Sequence, residues 1–294
     1  MKILVLGSKG QLGKCLNSQL ENTNHDVLYT SREQIDISDF ELTRKKILKA
    51  SPNIIINATA YTAVDKAEEH QETADLINHL AIKNIANICN QQDYWLIHIS
   101  TDYVFDGNSK VPYKENDQTN PKSVYGHTKL KGELAIQLSG CKHIIIRTAW
   151  VFSEYGNNFL KTMLLLGATR DKLSIVGDQL GCPTYGKDIA SSIIAIIPHL
   201  NSNKNIQGIY HYCGDEPCTW HDFAQEIFNE AKLLGNRVPD SVNSINTNDY
   251  PTPAARPAYS VLNTSKIKSF FLVNNSDWRI GVKVAVKNVI KNSS

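Results

Sequence analysis

Hydrophobic positions in the first half of the chain follow two alternating rhythms. Short, largely apolar or β-branched runs at 2–6, 27–30, 53–57, 95–100 and 143–147 are separated by longer amphipathic stretches at 11–20, 39–50, 73–91 and 124–139. Runs that are apolar throughout fit strands covered on both faces, and the longer stretches fit helices. The second of these helices stops just ahead of Ser51-Pro52, because a residue before proline is pushed out of the helical region. The βαβα order predicts an α/β fold, a Rossmann-like doubly wound parallel sheet.

Beyond residue 150 the rhythm loosens. Helices are predicted at 158–170, 188–197, 220–234 and 282–290, and the Gly-, Pro- and Asn-rich pieces at 201–205 and 246–257 read as loops. Residues 1–150 are expected to form the doubly wound, ligand-binding domain and 151–294 mainly a smaller substrate-binding lobe. The boundary is soft and the two interleave if late strands rejoin the first sheet. Without a low-complexity linker, a cleft between closely packed lobes is expected.

Composition narrows the partners. With 31 basic and 29 acidic residues the net charge is +2, too little for a nucleic-acid or anionic-membrane footprint. Any anionic ligand must be gripped locally. The start, MKILVLGSKG, has too short an apolar run for a signal peptide or a membrane span. Six cysteines without a CxxC pair fit buried thiols of a cytoplasmic protein. The cluster of His211, Cys213, Cys218 and His221 lacks zinc-finger spacing, so no metal site is expected.

Chemistry enters at the first strand-to-helix turn, GSKGQLG at 7–13. Gly7, Gly10 and Gly13 let the backbone turn tightly and approach a pyrophosphate, whose charge then meets free amides at the helix start, with Gln11 and Leu12 beside it. The acidic residue that would bind an adenosine ribose about 20 residues on is replaced by Tyr29-Thr30-Ser31-Arg32-Glu33. Ser31 and Arg32 suit a ribose 2′-phosphate, which favours NADPH over NADH, while Glu33 serving the ribose keeps NADH open. Asp36 and Ile37 are candidate adenine-side contacts. The third strand ends in small and hydroxylated residues (NATAYT, 57–62) at the carboxyl edge where such sheets bind ligands.

Tyr125 and Lys129 form a YxxxK spacing, which puts both on one helix face. A phenol titrates near pH 10, and a neighbouring cation brings it toward neutrality. The lysine can also hold a nicotinamide ribose. The fourth strand runs into Thr101, whose hydroxyl can donate to a carbonyl oxygen that gains charge during hydride transfer.

Taken together, these residues resemble the dTDP-4-dehydrorhamnose reductases, extended short-chain reductases. The resemblance spans nearly the whole chain, through GSKGQLG, NATAYTAVDKAE (57–68), STDYVFDG (100–107), Tyr125 to Lys129, RTAWVF (147–152), GNNF (156–159), DQLGCPT (178–184) and ARPAYSVL (255–262). It implies reduction of dTDP-4-dehydro-6-deoxy-L-mannose at C4 to dTDP-L-rhamnose by NAD(P)H. Tyr125 would supply the proton, Thr101 would polarise the ketone, and Lys129 would tune Tyr125 and bind the ribose. Gly10, Gln11, Leu12, Asp36, Ile37, Ala60, Tyr61 and Thr62 would meet the dinucleotide, and Thr101, Asp102, Tyr103 and Trp150 the sugar. Arg256 suits the diphosphate of the dTDP-linked keto-sugar, and the same ARP reads equally as a loop whose arginine pairs with a surface carboxylate. Some members hold a divalent cation such as Mg2+ between glutamates of two subunits. The matching positions, Cys15 and Lys187, do not suit one, and the chain is expected to act as a monomer or homodimer.

A reductase or epimerase of another nucleotide sugar would keep the same glycines, tyrosine and lysine. A non-catalytic regulatory subunit similar to the β subunit of methionine adenosyltransferase is the alternative of another class. Intact Thr101, Tyr125 and Lys129 count against it.

Overall fold

A computed structural model describes residues 1–200 and 206–292, and the loop expected at 201–205 lies outside them. The first half builds β1 (Lys2–Leu6), α1 (Gln11–Leu20), β2 (Asp26–Thr30), α2 (Phe40–Ala50), β3 (Ile54–Asn57), α3 (Val64–Glu69), α4 (Gln71–Asp75), a π-helical turn (Leu76–Leu80), α5 (Ala81–Gln92), β4 (Trp95–Thr101), α6 (Val124–Ser139) and β5 (His143–Thr148). The second half adds β6 (Val151–Phe152), α7 (Phe159–Thr169), β7 (Lys172–Val176), β8 (Leu180–Gly181), β9 (Thr184–Tyr185), α8 (Gly186–Ile196), β10 (Gly208–His211), β11 (Cys218–Thr219), α9 (Trp220–Leu233), β12 (Ser241–Ile245), α10 (Ser265–Phe271) and α11 (Trp278–Lys291).

Six parallel strands form the central sheet in the order β10-β5-β4-β3-β1-β2. Alternate residues of each inner strand feed opposite faces. Ile3, Val5, Ile54, Ile56 and Ile97 pack with Leu16 of α1 and with Ile189 and Ile193 of α8. Leu4, Leu6, Ile55 and Ile145 pack with Ile47 of α2, Ile85 of α5 and Ile136 of α6. Each such side chain contributes about 1.5–3 kcal/mol by leaving water. Two-sided burial is why these strands read as unbroken apolar runs.

The second half is not separate from this sheet. Its β10 pairs with β5 at the sheet edge, and α8 packs into the core beneath α1. A further core joins α7, α9 and α11 through Leu160, Met163, Phe223, Ile227, Trp278 and Val282. The predicted helix at 73–91 is interrupted by the π turn, and α11 starts at Trp278 rather than 282, because Asp277 accepts the Ile280 amide and caps it. Among the described residues no helix is long and apolar enough to cross a membrane.

Candidate active site

The turn after β1 is shaped by its glycines. Gly7 sits at φ 85°, and the amides of Gly7 and Ser8 both donate to the Thr30 carbonyl at 2.9 Å, tying the turn to the end of β2. A Cβ on Gly13 would lie 2.1 Å from the Gly7 carbonyl oxygen, so α1 reaches the turn only because residue 13 has no side chain. Exposed Gly10 caps α1 without a side-chain acceptor, and the buried amide nitrogen of Gln11 has no partner. Such donors at a helix start fit a dinucleotide diphosphate. Leu12 packs against the core beside them.

At the end of β2, buried Ser31 donates its hydroxyl to the Glu33 carboxylate, which also receives Lys9 at 3.1 Å. The Ser31 bond, followed by a backbone bond and Lys9, holds the Glu33 carboxyl down to about 2. Arg32 is exposed and donates to Asp36 at 3.1 Å, while the other Asp36 oxygen accepts from the Ser38 amide and hydroxyl. The Ile37 side chain is buried in the core, so only its backbone can face a ligand.

At the end of β3, Asn57 Oδ1 accepts from the Thr59 amide (3.1 Å) and hydroxyl (2.6 Å), which shapes the turn leading to Ala60, Tyr61 and Thr62. Asn78, inside the π turn, accepts from the Tyr61 amide at 2.8 Å and donates to the Tyr61 carbonyl and the Thr128 hydroxyl at 3.1 Å. Gly132 lets α6 approach this closely, since a Cβ there would stand 2.2 Å from the Asn78 carbonyl oxygen. One amide thus links the β3 turn to α6.

Helix α6 starts at Ser123, whose hydroxyl accepts the Gly126 amide. A Cβ on Gly126 would meet the Tyr103 carbonyl oxygen at 2.3 Å, so the helix start closes directly onto the segment after β4. That contact brings Tyr125 beside Thr101, Asp102 and Tyr103, with the two tyrosine rings edge to face at 5.6 Å. Burial raises the Tyr125 phenol above its usual value. The Thr101 hydroxyl opposes this, while Asp102 and Tyr103 add to it. Thr101 donates to Asp102 Oδ1 at 2.9 Å and accepts the Tyr103 amide at 3.2 Å. Burial pushes Asp102 up to about 6 against hydrogen bonds from the Thr101 and Ser260 hydroxyls and from backbone amides.

Lys129, one helical turn past Tyr125, is buried and donates to the Ile99 carbonyl at 2.6 Å. Burial lowers it to about 8, opposed by Glu133. Buried Glu133 pairs with Arg147 of β5 at 2.6 Å and accepts the Ser100 hydroxyl, which fixes α6 across β4 and β5.

From the second half, Arg256 pairs with Asp65 at 2.6 Å and reaches the Tyr103 hydroxyl at 3.3 Å. Trp150 stacks on Trp220, whose indole nitrogen donates to Gln179. Sequence reasoning singled out neither Trp220, Asp65, Asn78, His98, Glu133 nor Arg147. Asp65 lies inside the NATAYTAVDKAE run, and His98 is a polar residue in an apolar strand, signals that were open to reading. The Glu133–Arg147 pairing leaves no local pattern.

The RmlD substrate binding domain family matches residues 1–291. The chain belongs to the RmlD family. Among relatives of this RmlD family member, the dTDP-4-dehydrorhamnose reductase of Aggregatibacter actinomycetemcomitans is 44% identical over 288 residues, covering 96% of this chain and 97% of that one. A dTDP-4-dehydrorhamnose reductase structure from Clostridium acetobutylicum aligns with TM-score 0.90 at 39% identity, covering 98% and 99% of the two chains. One from Bacillus anthracis, in complex with NADP, aligns with TM-score 0.89 at 33% identity, covering 97% and 98%. In this RmlD family member Lys187 pairs with Glu154 at 2.6 Å, and burial pushes the Cys15 thiol up to about 12. Among the described residues no group of three His, Cys, Asp or Glu side chains is placed to hold a metal ion.

Proposed function

We propose that this chain reduces dTDP-4-dehydro-6-deoxy-L-mannose at C4 to dTDP-L-rhamnose, with NADPH as the preferred reductant. The observation that supports this most is the placing of Tyr125, Thr101 and Lys129 at the carboxyl edge of β4, in the same sheet edge as the glycine turn after β1. When bound, the nicotinamide supplies the hydride to C4. Tyr125 holds its proton firmly and gives it to the oxygen that becomes the new hydroxyl. Thr101 orients that oxygen, and it turns its own proton to the ketone when Asp102 carries one, which the raised proton affinity of Asp102 allows. Lys129 and the Gly7–Gly13 turn hold the dinucleotide, with Ala60, Tyr61 and Thr62 alongside.

Residues 1–150 act as the dinucleotide half, and 151–294 mainly as the substrate half, interleaved through α8 and β10. Arg256 holds the diphosphate by exchanging Asp65 for phosphate oxygens, and Trp150 offers an apolar face to the sugar. Incubating the chain with NADPH and this keto-sugar, then assigning the product by NMR, tests the reading. dTDP-L-rhamnose supports it. The 4-epimeric alcohol, or no product, refutes it.

A further inference from the structure

Buried His98 lies in β4 with both ring nitrogens engaged: Nδ1 is 3.0 Å from Asn57 Nδ2, and Nε2 is 3.4 Å from Lys129 Nζ. The orientation of Asn57 is fixed by chemistry. Its Oδ1 must face Thr59, because a backbone N–H can only donate, and Thr59 presents its amide as well as its hydroxyl to that atom. Asn57 Nδ2 therefore donates to His98 Nδ1, which must be the unprotonated nitrogen. The proton of the neutral ring is then on Nε2, pointing at Lys129.

An N–H aimed at the Lys129 nitrogen stabilises the amine with its lone pair and opposes the ammonium, which has only donors. We propose that His98 is a positioning residue for Lys129, presenting a fixed Nε2–H to the amine and weakening its hold on the proton. The remaining Lys129 contact, to the Ile99 carbonyl, sets the direction of the side chain without deciding its charge. On α6, Tyr125 precedes Lys129, and Glu133 follows, paired with Arg147 of β5 yet still favouring the charged Lys129. Just past the end of β4, Asp102 accepts the Thr101 hydroxyl. Asn57 of β3 carries no charge. Burial together with Lys129 keeps His98 itself well below its ordinary value, so the ring stays neutral. His98 is also no proton wire: a proton reaching it from Lys129 stops at Asn57, an amide that can only donate to Nδ1.

This inference rests on the geometry around Lys129 and takes its importance from the proposed reduction. The test is NMR of the chain labelled with 15N-histidine and 13Cε-lysine, with and without added NADP+, in wild type, His98→Asn and His98→Phe. Asparagine keeps an acceptor for Asn57 and removes the N–H toward Lys129. Phenylalanine suits the apolar strand should asparagine fail to fold. Expected are a neutral His98 protonated at Nε2 from pH 6 to 9, a Lys129 titration that rises by about half a unit or more in either variant, and an alkaline limb of the kcat profile that rises with it. A His98 protonated at Nδ1, or a Lys129 titration unmoved in the folded variants, overturns the proposal. The NMR readouts need no turnover, so a chain inactive on the keto-sugar would refute the proposed function while His98 is still decided by its tautomer.

Discussion

The indole of Trp150 lies flat on that of Trp220, with ring centroids 3.5 Å apart and planes 6° from parallel. Trp150 does this on a backbone at φ 45°, a region that bulky residues adopt only where their surroundings hold them. The edge of the same indole rests on Gly181, where a Cβ would stand 2.4 Å from Trp150 Cε2. A position proposed to meet the sugar is thus fixed from two sides by residues of the second half.

Gly181→Ala is expected to tilt the Trp150 ring and raise KM for the keto-sugar on the order of tenfold, about 1.4 kcal/mol, with a smaller change in kcat. Trp220→Ala should act in the same direction, since stacked aromatic pairs contribute about 0.5–1.5 kcal/mol beyond area burial. Steady-state kinetics check both. An unchanged KM in Gly181→Ala would show that the ring does not meet the substrate.

Asp102 should make stability depend on pH. Its proton affinity is raised from an ordinary 3.8 to about 6, so the folded state binds the proton more tightly than the unfolded chain does. The contribution is complete below pH 3.8 and is lost as pH rises to about 6, a difference of about 3 kcal/mol. Asp102→Asn removes that dependence, and in urea titrations the variant should gain stability over wild type between pH 4 and 7 while losing turnover. A stability difference that stays flat with pH would contradict this.

The buried Glu133–Arg147 pair fixes the helix that carries Tyr125 and Lys129. Glu133→Gln leaves Arg147 without its counter-charge and is expected to cost about 3–5 kcal/mol in urea unfolding, because breaking one side of a buried pair strands the other. A loss under about 1 kcal/mol would mean that Arg147 finds another partner.

Those cases mark what could be read from the sequence. Strands β1, β3, β4 and β5 were legible because burial on both faces writes a continuous apolar run, and α6 was legible over 124–139 from its amphipathic run, while its Ser123 cap and left-handed Gly140 went unread. The parallel pair of β7 and β12 was not, since half-exposed residues such as those of SVNSI carry no clear period. The π turn hid within an amphipathic run. Arg256 was singled out, but its partner Asp65 lies 191 positions away and nothing local connects them. Gly7 to Gly13 and Tyr125 to Lys129 stood out because each is a fixed spacing whose physical reason is local.

Cofactor choice rests on opposing charges at the end of β2. Arg32 offers a guanidinium, while ionised Glu33, held by Ser31 and Lys9, opposes a 2′-phosphate. Arg32→Ala should lower the preference for NADPH over NADH, and Glu33→Gln should raise it, each by roughly tenfold in the ratio of kcat/KM values. If Arg32→Ala leaves the ratio unchanged, the arginine does not read the phosphate.

The central claim is that Tyr125 protonates the new hydroxyl of a dTDP-linked sugar. Its most direct test is NADPH oxidation with dTDP-4-dehydro-6-deoxy-L-mannose by wild type and Tyr125→Phe, in which only the hydroxyl is lost. The account predicts turnover by wild type and a fall of 10²-fold or more in kcat for the variant, the scale of a positioned proton donor. A wild type inactive on this sugar, or a phenylalanine variant with full turnover, would contradict it.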